Sequence, residues 1–219
     1  MSQTMLFLLL KSSFETLYMV FAAGLIATLV GLPAGIALFV TRKGNIIEHP
    51  LIHKTLAAIV NITRSIPFII LMIAVIPFTR LLIGTSIGTN AAIVPLSLCA
   101  MPFIARVVEN ALLEVNYGLI EAATAMGATP WQIVIKVLIP EAFPGIINGL
   151  TLTIVSLIGY SAMAGAVGGG GLGDVAIRYG YHRFNVTIML ITIAIMVIFV
   201  QVVQLLGDSC AQRFSRFKN

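Results

Sequence analysis

Charge is what this chain has least of. Only 10% of its 219 residues are charged, against about 25% in ordinary soluble domains, which excludes a water-soluble globular fold. Cysteine is nearly absent. Cys99 and Cys210 form no disulfide framework and have no metal-ligand spacing. The three histidines, His49, His53 and His182, read as loop residues with no i, i+4 ligand pair inside an apolar run, so no metal is expected. No Ser-His-Asp set, Cys-His pair or paired carboxylates fall within an apolar segment, which leaves enzymatic chemistry nothing to work with. The glycine-rich string YSAMAGAVGGGGLG (160–173) lacks the Lys-Ser/Thr of a phosphate-binding loop, and no strand precedes it. The net charge of +5 is small and its basic residues sit between apolar runs. It therefore reports orientation and lipid contact, and not nucleic-acid binding.

What the chain has instead is apolar length. With 59% hydrophobic residues and a mean hydropathy of +1.05, it reads as an all-α polytopic membrane protein forming one transmembrane domain over residues 1–219. A crossing needs about 20 apolar residues. Five are expected, at about 16–41, 57–79, 91–113, 145–164 and 185–206, with a water-facing loop at about 116–143. The first contains Gly31-x-x-x-Gly35 around Pro33, a close-packing face for another helix. The apolar run at 5–10 is shorter than a signal peptide's core, so an uncleaved N-terminus is expected. Placing the 116–143 loop inside puts Arg42, Lys43, Lys54, Arg106, Lys136, Arg213, Arg216 and Lys218 on the inner side. Lys11, Arg80, Arg178 and Arg183 are then outside. This bias fits the positive-inside rule, and five crossings put the N-terminus outside and the C-terminus in the cytoplasm. No internal repeat is visible.

The loop itself reads as two short helices. Asn116 can cap the first, which runs through Glu121, Ala122 and Ala123, and Gly127 suits its left-handed stop. Thr129 with Gln132 forms a capping box around Pro130, and Pro140 is expected to end the second helix. Small residues beside one carboxylate describe a docking knob.

Polar residues inside the apolar runs need partners. Arg106 and Glu109 are spaced for an ion pair at a helix foot. Arg64, ahead of Pro67, reads as a structural anchor that can snorkel to the inner face. Asn148, Gln201 and Gln204 read as interhelical hydrogen-bonding groups. A non-helical stretch at membrane depth must be covered by protein or line a water-filled cavity. The segment containing Tyr160, Ser161 and Met163 therefore reads as lining the exit of a pathway or packing at a subunit interface. Met163 serves equally as a hydrophobic gate or as plain packing.

Glu121-Ala122-Ala123, Gly127, Val137, Ile139 and Pro140 stand at the offsets of the EAA loop, and on these residues the chain resembles ABC importer permeases. The strings TRSIPFII, IGTSIG, AAIVPL, PFIARVVENALLEV, GLIEAATAMGATP and GYSAMAGAVGGGGLG are most similar to the permease of the methionine-uptake importers. The resemblance implies a type I importer permease fold in a bacterial inner membrane, with the loop a cytoplasmic coupling helix. It further implies two copies of this chain, two ATP-binding subunits and an extracytoplasmic substrate-binding lipoprotein. Transport of methionine, L and also D, would proceed by alternating access. No cofactor is expected in this chain, because ATP and Mg would sit on the ATPase partner. Glu121, Ala122, Ala123, Gly127 and Pro140 would couple to that partner, with Met163 as gate. The same loop also suits a family permease for another amino acid, a betaine or a small anion. A stand-alone secondary transporter or membrane enzyme would need carboxylates within the spans, for which Glu109 is the nearest candidate.

Overall fold

The computed structural model describes residues 3–215. Its long elements are helices whose ends follow from local chemistry. Helix α1 runs over Gln3–Val40, starting well before the expected crossing at 16. Nothing in its N-terminal part breaks a helix, and Lys11 and Glu15 pair at 3.8 Å across one turn. At about 1.5 Å per residue α1 is roughly 57 Å long, more than a hydrocarbon core of about 30 Å requires.

The second expected span is not one helix. Helix α2, Pro50–Ser65, stops because the position before a proline disfavours α-helical geometry. Pro67 takes an extended conformation (φ −56°, ψ 135°) at the start of α3, Phe68–Ala74. Val75 separates α3 from α4, Ile76–Ile83, which ends on left-handed Gly84 at φ 82°. His53, expected in a loop, lies in α2, where its Nδ1 is 2.9 Å from the Leu38 carbonyl oxygen. Helix α5, Thr89–Leu113, falls where expected, and α6 follows at Tyr117–Ala125.

Pro140 does not end a helix. After α7, Pro130–Ile133, the backbone widens into a π-helical turn over Val134–Leu138, in which the Ile139 N–H donates to the Val134 carbonyl. The wider turn accommodates the residue that cannot donate. The chain then continues as α8, Ile139–Ala166. The stretch between the fourth and fifth expected spans is also helical in part: α9 is Gly171–Val175, followed by a second π-helical turn, Ala176–Tyr181. Helix α10 spans Val186–Ser215. Arg216 and Lys218 of the inner basic set lie outside the described residues.

Among the described residues, four helices are long and apolar enough to cross a membrane: Gln3–Val40, Thr89–Leu113, Pro130–Ala166 and Val186–Phe214. Counting the broken pair Pro50–Ser65 and Phe68–Ala74 as one span makes five.

The chain forms two compact units. Residues 1–27, 66–100 and 153–204 make one. Its core gathers Leu9, Leu172, Val175 and Ile188, and Phe68 stacks on Tyr160 with centroids 4.9 Å apart. Residues 28–65, 101–152 and 205–219 make the other. There Leu38, Val60 and Ala105 pack together, and the Gly31-x-x-x-Gly35 face meets α5 as its spacing predicts. A Cβ on Gly31 would lie 2.7 Å from the Met101 carbonyl oxygen, and one on Gly35 2.5 Å from that of Ala105. Backbone sets the contact, so no rotamer change relieves it. Gly35→Val is expected to destabilise the folded chain by about 2 kcal/mol or more, within the usual range for overpacking. A lower melting temperature of the purified protein would register it; an unchanged one would refute the close packing.

Candidate functional site

The 116–139 hairpin is built by its end-caps. Asn116 is extended (φ −62°, ψ 123°), and its side-chain oxygen accepts from the Gly118 N–H at 2.9 Å. At the other end of α6, the Gly127 N–H donates to Thr124 (2.9 Å) and the Ala128 N–H to Ala123 (3.1 Å). This double bond pattern around a left-handed residue is a Schellman stop. Gly127 has φ 80°, and no atom lies within 4 Å of where its Cβ would be. Glycine is thus required by conformation and not by space.

Two residues on, Thr129 accepts from the Gln132 N–H (3.4 Å) while Gln132 Oε1 accepts from the Thr129 N–H (2.9 Å), the reciprocal bonds of a capping box. Ile120, Ala123, Ile133, Val134 and Leu138 are all buried at 5% exposure or less. The hairpin is therefore a rigid object with a core.

Its outer face is divided. Glu121, Ala122 and Gly127 are exposed, whereas Ala123 is buried, so Ala123 shapes the hairpin from within. Glu121 makes no ion pair among the described residues. Met126 and Trp131 are 81% and 70% exposed, an apolar rim beside Gly127 that the sequence pattern did not single out. Pro140 is exposed on the continuous helix beyond.

The pathway candidates fall on different faces of α8. Ser161 is buried and donates to Ile158 O at 2.7 Å. Tyr160 is half-buried against Phe68, and Met163 is exposed. The glycine segment turns back through Gly168, Gly170 and Gly171, all with positive φ, so that Gly165 and Gly173 meet backbone to backbone.

Two side chains from α1 hold this turn. Glu15 Oε2 accepts from the Gly171 N–H (3.0 Å) and Thr16 Oγ1 from the Leu172 N–H (2.9 Å). Sequence reasoning missed both. The signal was a carboxylate at the edge of an apolar run, a group that needs a partner.

The predicted ion pair is present: Arg106 Nη1 lies 2.6 Å from Glu109 Oε2, whose side chain is 3% exposed. A third member was not foreseen, Asn61, whose Oδ1 accepts from Arg106 Nη2 at 2.5 Å. Arg64 lies over the Phe103 ring, 5.6 Å from its centroid.

Removing the Thr129 hydroxyl deletes one half of the capping box. Thr129→Ala is expected to cost about 1 kcal/mol locally and to speed amide exchange in α7 roughly fivefold. Hydrogen-exchange mass spectrometry on peptides covering 129–135 measures this, and unchanged exchange would contradict the cap.

The family described as the inner membrane component of binding-protein-dependent transport systems matches residues 31–216. The chain is 54% identical over 206 residues to a probable D-methionine transport system permease protein, MetI, of Vibrio cholerae, covering 94% of this chain and 92% of that one. It is 57% identical over 203 residues to the MetI protein of Pasteurella multocida, with 93% and 94% covered. Among solved structures, an inward facing conformation of the MetNI methionine ABC transporter superposes with a TM-score of 0.96 at 54% identity, over 98% of this chain and 99% of that one. An amino acid ABC transporter crystallised with histidines shares the fold, with a TM-score of 0.72 at 20% identity over 95% and 93% of the two chains. An all-helical membrane chain carrying a capped, rigid EAA hairpin, matched by that family over most of its length, belongs to the inner membrane components of binding-protein-dependent transport systems, the permease subunits of ABC importers.

Proposed function

We propose that this permease carries methionine, the D as well as the L form, inward across the bacterial inner membrane. The observation that carries the reading is the 0.96 TM-score at 54% identity to a methionine ABC transporter, reinforced by relatives described as D-methionine permeases. In this reading two copies of the chain assemble with two ATP-binding subunits and an extracytoplasmic binding lipoprotein. ATP and Mg are held by the ATP-binding subunits. The N-terminus lies outside and the C-terminus in the cytoplasm, as the distribution of basic residues favours.

The exposed face of the EAA hairpin seats on the ATP-binding subunit. Glu121, exposed and without an ion pair in the described chain, supplies the charge, while Ala122 and Gly127 allow close approach. The hairpin is a suitable lever because α7 continues through the π-helical turn into α8, giving one helical path over Pro130–Ala166. Motion imposed on α7 reaches the membrane helix without crossing a flexible joint. Met163 acts as the gate: it is flexible and apolar, and it is exposed on α8.

The test is ATP-driven uptake of labelled D- and L-methionine into vesicles that contain the chain with its ATP-binding subunits and binding protein. Wild type is compared with Gly127→Val, which forces a β-branched residue into a left-handed conformation. Expected are uptake of both isomers by wild type and at least about a tenfold loss in the variant, the scale of losing about 1.4 kcal/mol of coupling. ATP-driven uptake of a different amino acid, a betaine or an anion in place of methionine would leave an importer and reject the substrate. Full uptake by Gly127→Val would reject the hairpin as the coupling element.

A further inference from the structure

Between residues 55 and 79 the chain carries a single charged side chain, Arg64. It lies about 21 Å of helix axis beyond Pro50, at about 1.5 Å per residue. A cation so placed in an apolar stretch has to face protein, water or an anion. No carboxylate pairs with it among the described residues. The acid of its cluster, Glu109, is buried and committed to Arg106 at 2.6 Å, so the Arg106–Glu109 pair is neutral and Arg64 supplies the net charge.

Two neighbours prepare Arg64 for an oxyanion. Its guanidinium lies over the Phe103 ring, and a guanidinium held by an aromatic face keeps N–H edges free for a planar, two-oxygen acceptor. Asn61 lies one turn earlier on α2 and is also exposed. A guanidinium only donates, so the amide oxygen of Asn61 must face Arg106, as it does at 2.5 Å. That orientation turns the Asn61 Nδ2 donors away from Arg106.

We propose that Arg64 and Asn61 Nδ2 form a binding site for the carboxylate of the amino-acid substrate in transit, with Phe103 and Arg106 as positioning residues. The inference rests on the amino-acid reading under Proposed function and adds the group that recognises the substrate inside the permease. One guanidinium and one amide bind a carboxylate weakly enough to release it, as a permeation site must. The same chemistry would suit the phosphate of an inner-leaflet lipid, and the experiment separates the two.

The complete complex, with ATP-binding subunits and binding protein, is reconstituted into vesicles, and amino acid accumulated per ATP hydrolysed is measured for wild type and variants. Losing a charge-assisted contact is expected to lower this ratio about tenfold in Arg64→Gln, while ATP hydrolysis stimulated by loaded binding protein stays within about twofold of wild type. Arg64→Lys should recover part of the ratio, and a merely structural arginine would move hydrolysis and uptake together. Asn61→Asp keeps the side-chain shape but sets a carboxylate beside Arg64 in competition with the substrate, and should lower the ratio as well. An unchanged ratio in Arg64→Gln overturns the site. So does an unchanged ratio with a melting temperature that no longer responds to added anionic lipid, which assigns Arg64 to a headgroup. Each measurement uses whichever amino acid the wild type accumulates, so a failed methionine reading and a failed carboxylate site are separate results.

Discussion

In lipid a backbone N–H or C=O has no water to turn to, and an unsatisfied group there costs several kcal/mol. Pairing the freed backbone groups is the shared constraint at several places where this chain leaves a regular helix, whether at membrane depth or in the hairpin. At the end of α6 the amides of Gly127 and Ala128 fold back onto Thr124 and Ala123. At Thr129 the hydroxyl accepts from the Gln132 N–H, and the Gln132 side-chain oxygen accepts from the Thr129 N–H. Ahead of Pro140 the helix widens so that Ile139 donates to Val134. At the glycine turn, where no local side chain can help, α1 supplies Glu15 and Thr16 to the amides of Gly171 and Leu172. Three of these breaks are closed by nearby groups and the fourth by a helix distant in sequence, and each one also fixes a direction of the chain.

Those directions give the 116–139 hairpin its mechanical character. A loop held only by its ends would bend under load. Here both helices are capped, their apolar faces are buried against each other, and the second helix merges with a membrane span instead of stopping before it. The π-helical turn is what makes the merger possible, since a regular α-helix would bring the Pro140 ring against the carbonyl four residues earlier.

The local part of this was legible from sequence. Asn116, Gly127, Thr129 and Gln132 announce their caps within a window of a few residues, and Gly31 with Gly35 announces a close contact by its spacing alone. The reading failed where the outcome depends on something beyond the window. Pro140 looked like a terminator because the wider turn that absorbs it is a backbone choice no residue type specifies. The break at Pro67 was underestimated because a run of apolar residues reads as a span whether or not a proline divides it. Glu15 meets Gly171 across 156 positions, and Asn61 meets Arg106 across 45. Such pairs leave no periodic trace in one sequence. Met126 and Trp131 were passed over because apolar residues are unremarkable in an apolar chain; only their exposure on a water-facing hairpin makes them conspicuous.

Scarcity of charge sharpens the electrostatics of what remains. Glu15 has Lys11 one turn away and a backbone amide to bind, and Asp174 meets Arg178 at 2.8 Å. Glu109 is buried, and the partly exposed Arg106 beside it supplies its counter-charge. Isolated exposed pairs contribute little stability, typically under about 1 kcal/mol, so the Lys11–Glu15 and Arg178–Asp174 contacts mainly orient their side chains. Arg64 departs from that pattern: it has an aromatic face beneath it, Asn61 one turn earlier on the same helix, and no carboxylate partner among the described residues. An apolar stretch tolerates such a group when an anion visits it. The carboxylate of the amino acid proposed as substrate is an anion of that kind, small enough to visit and leave.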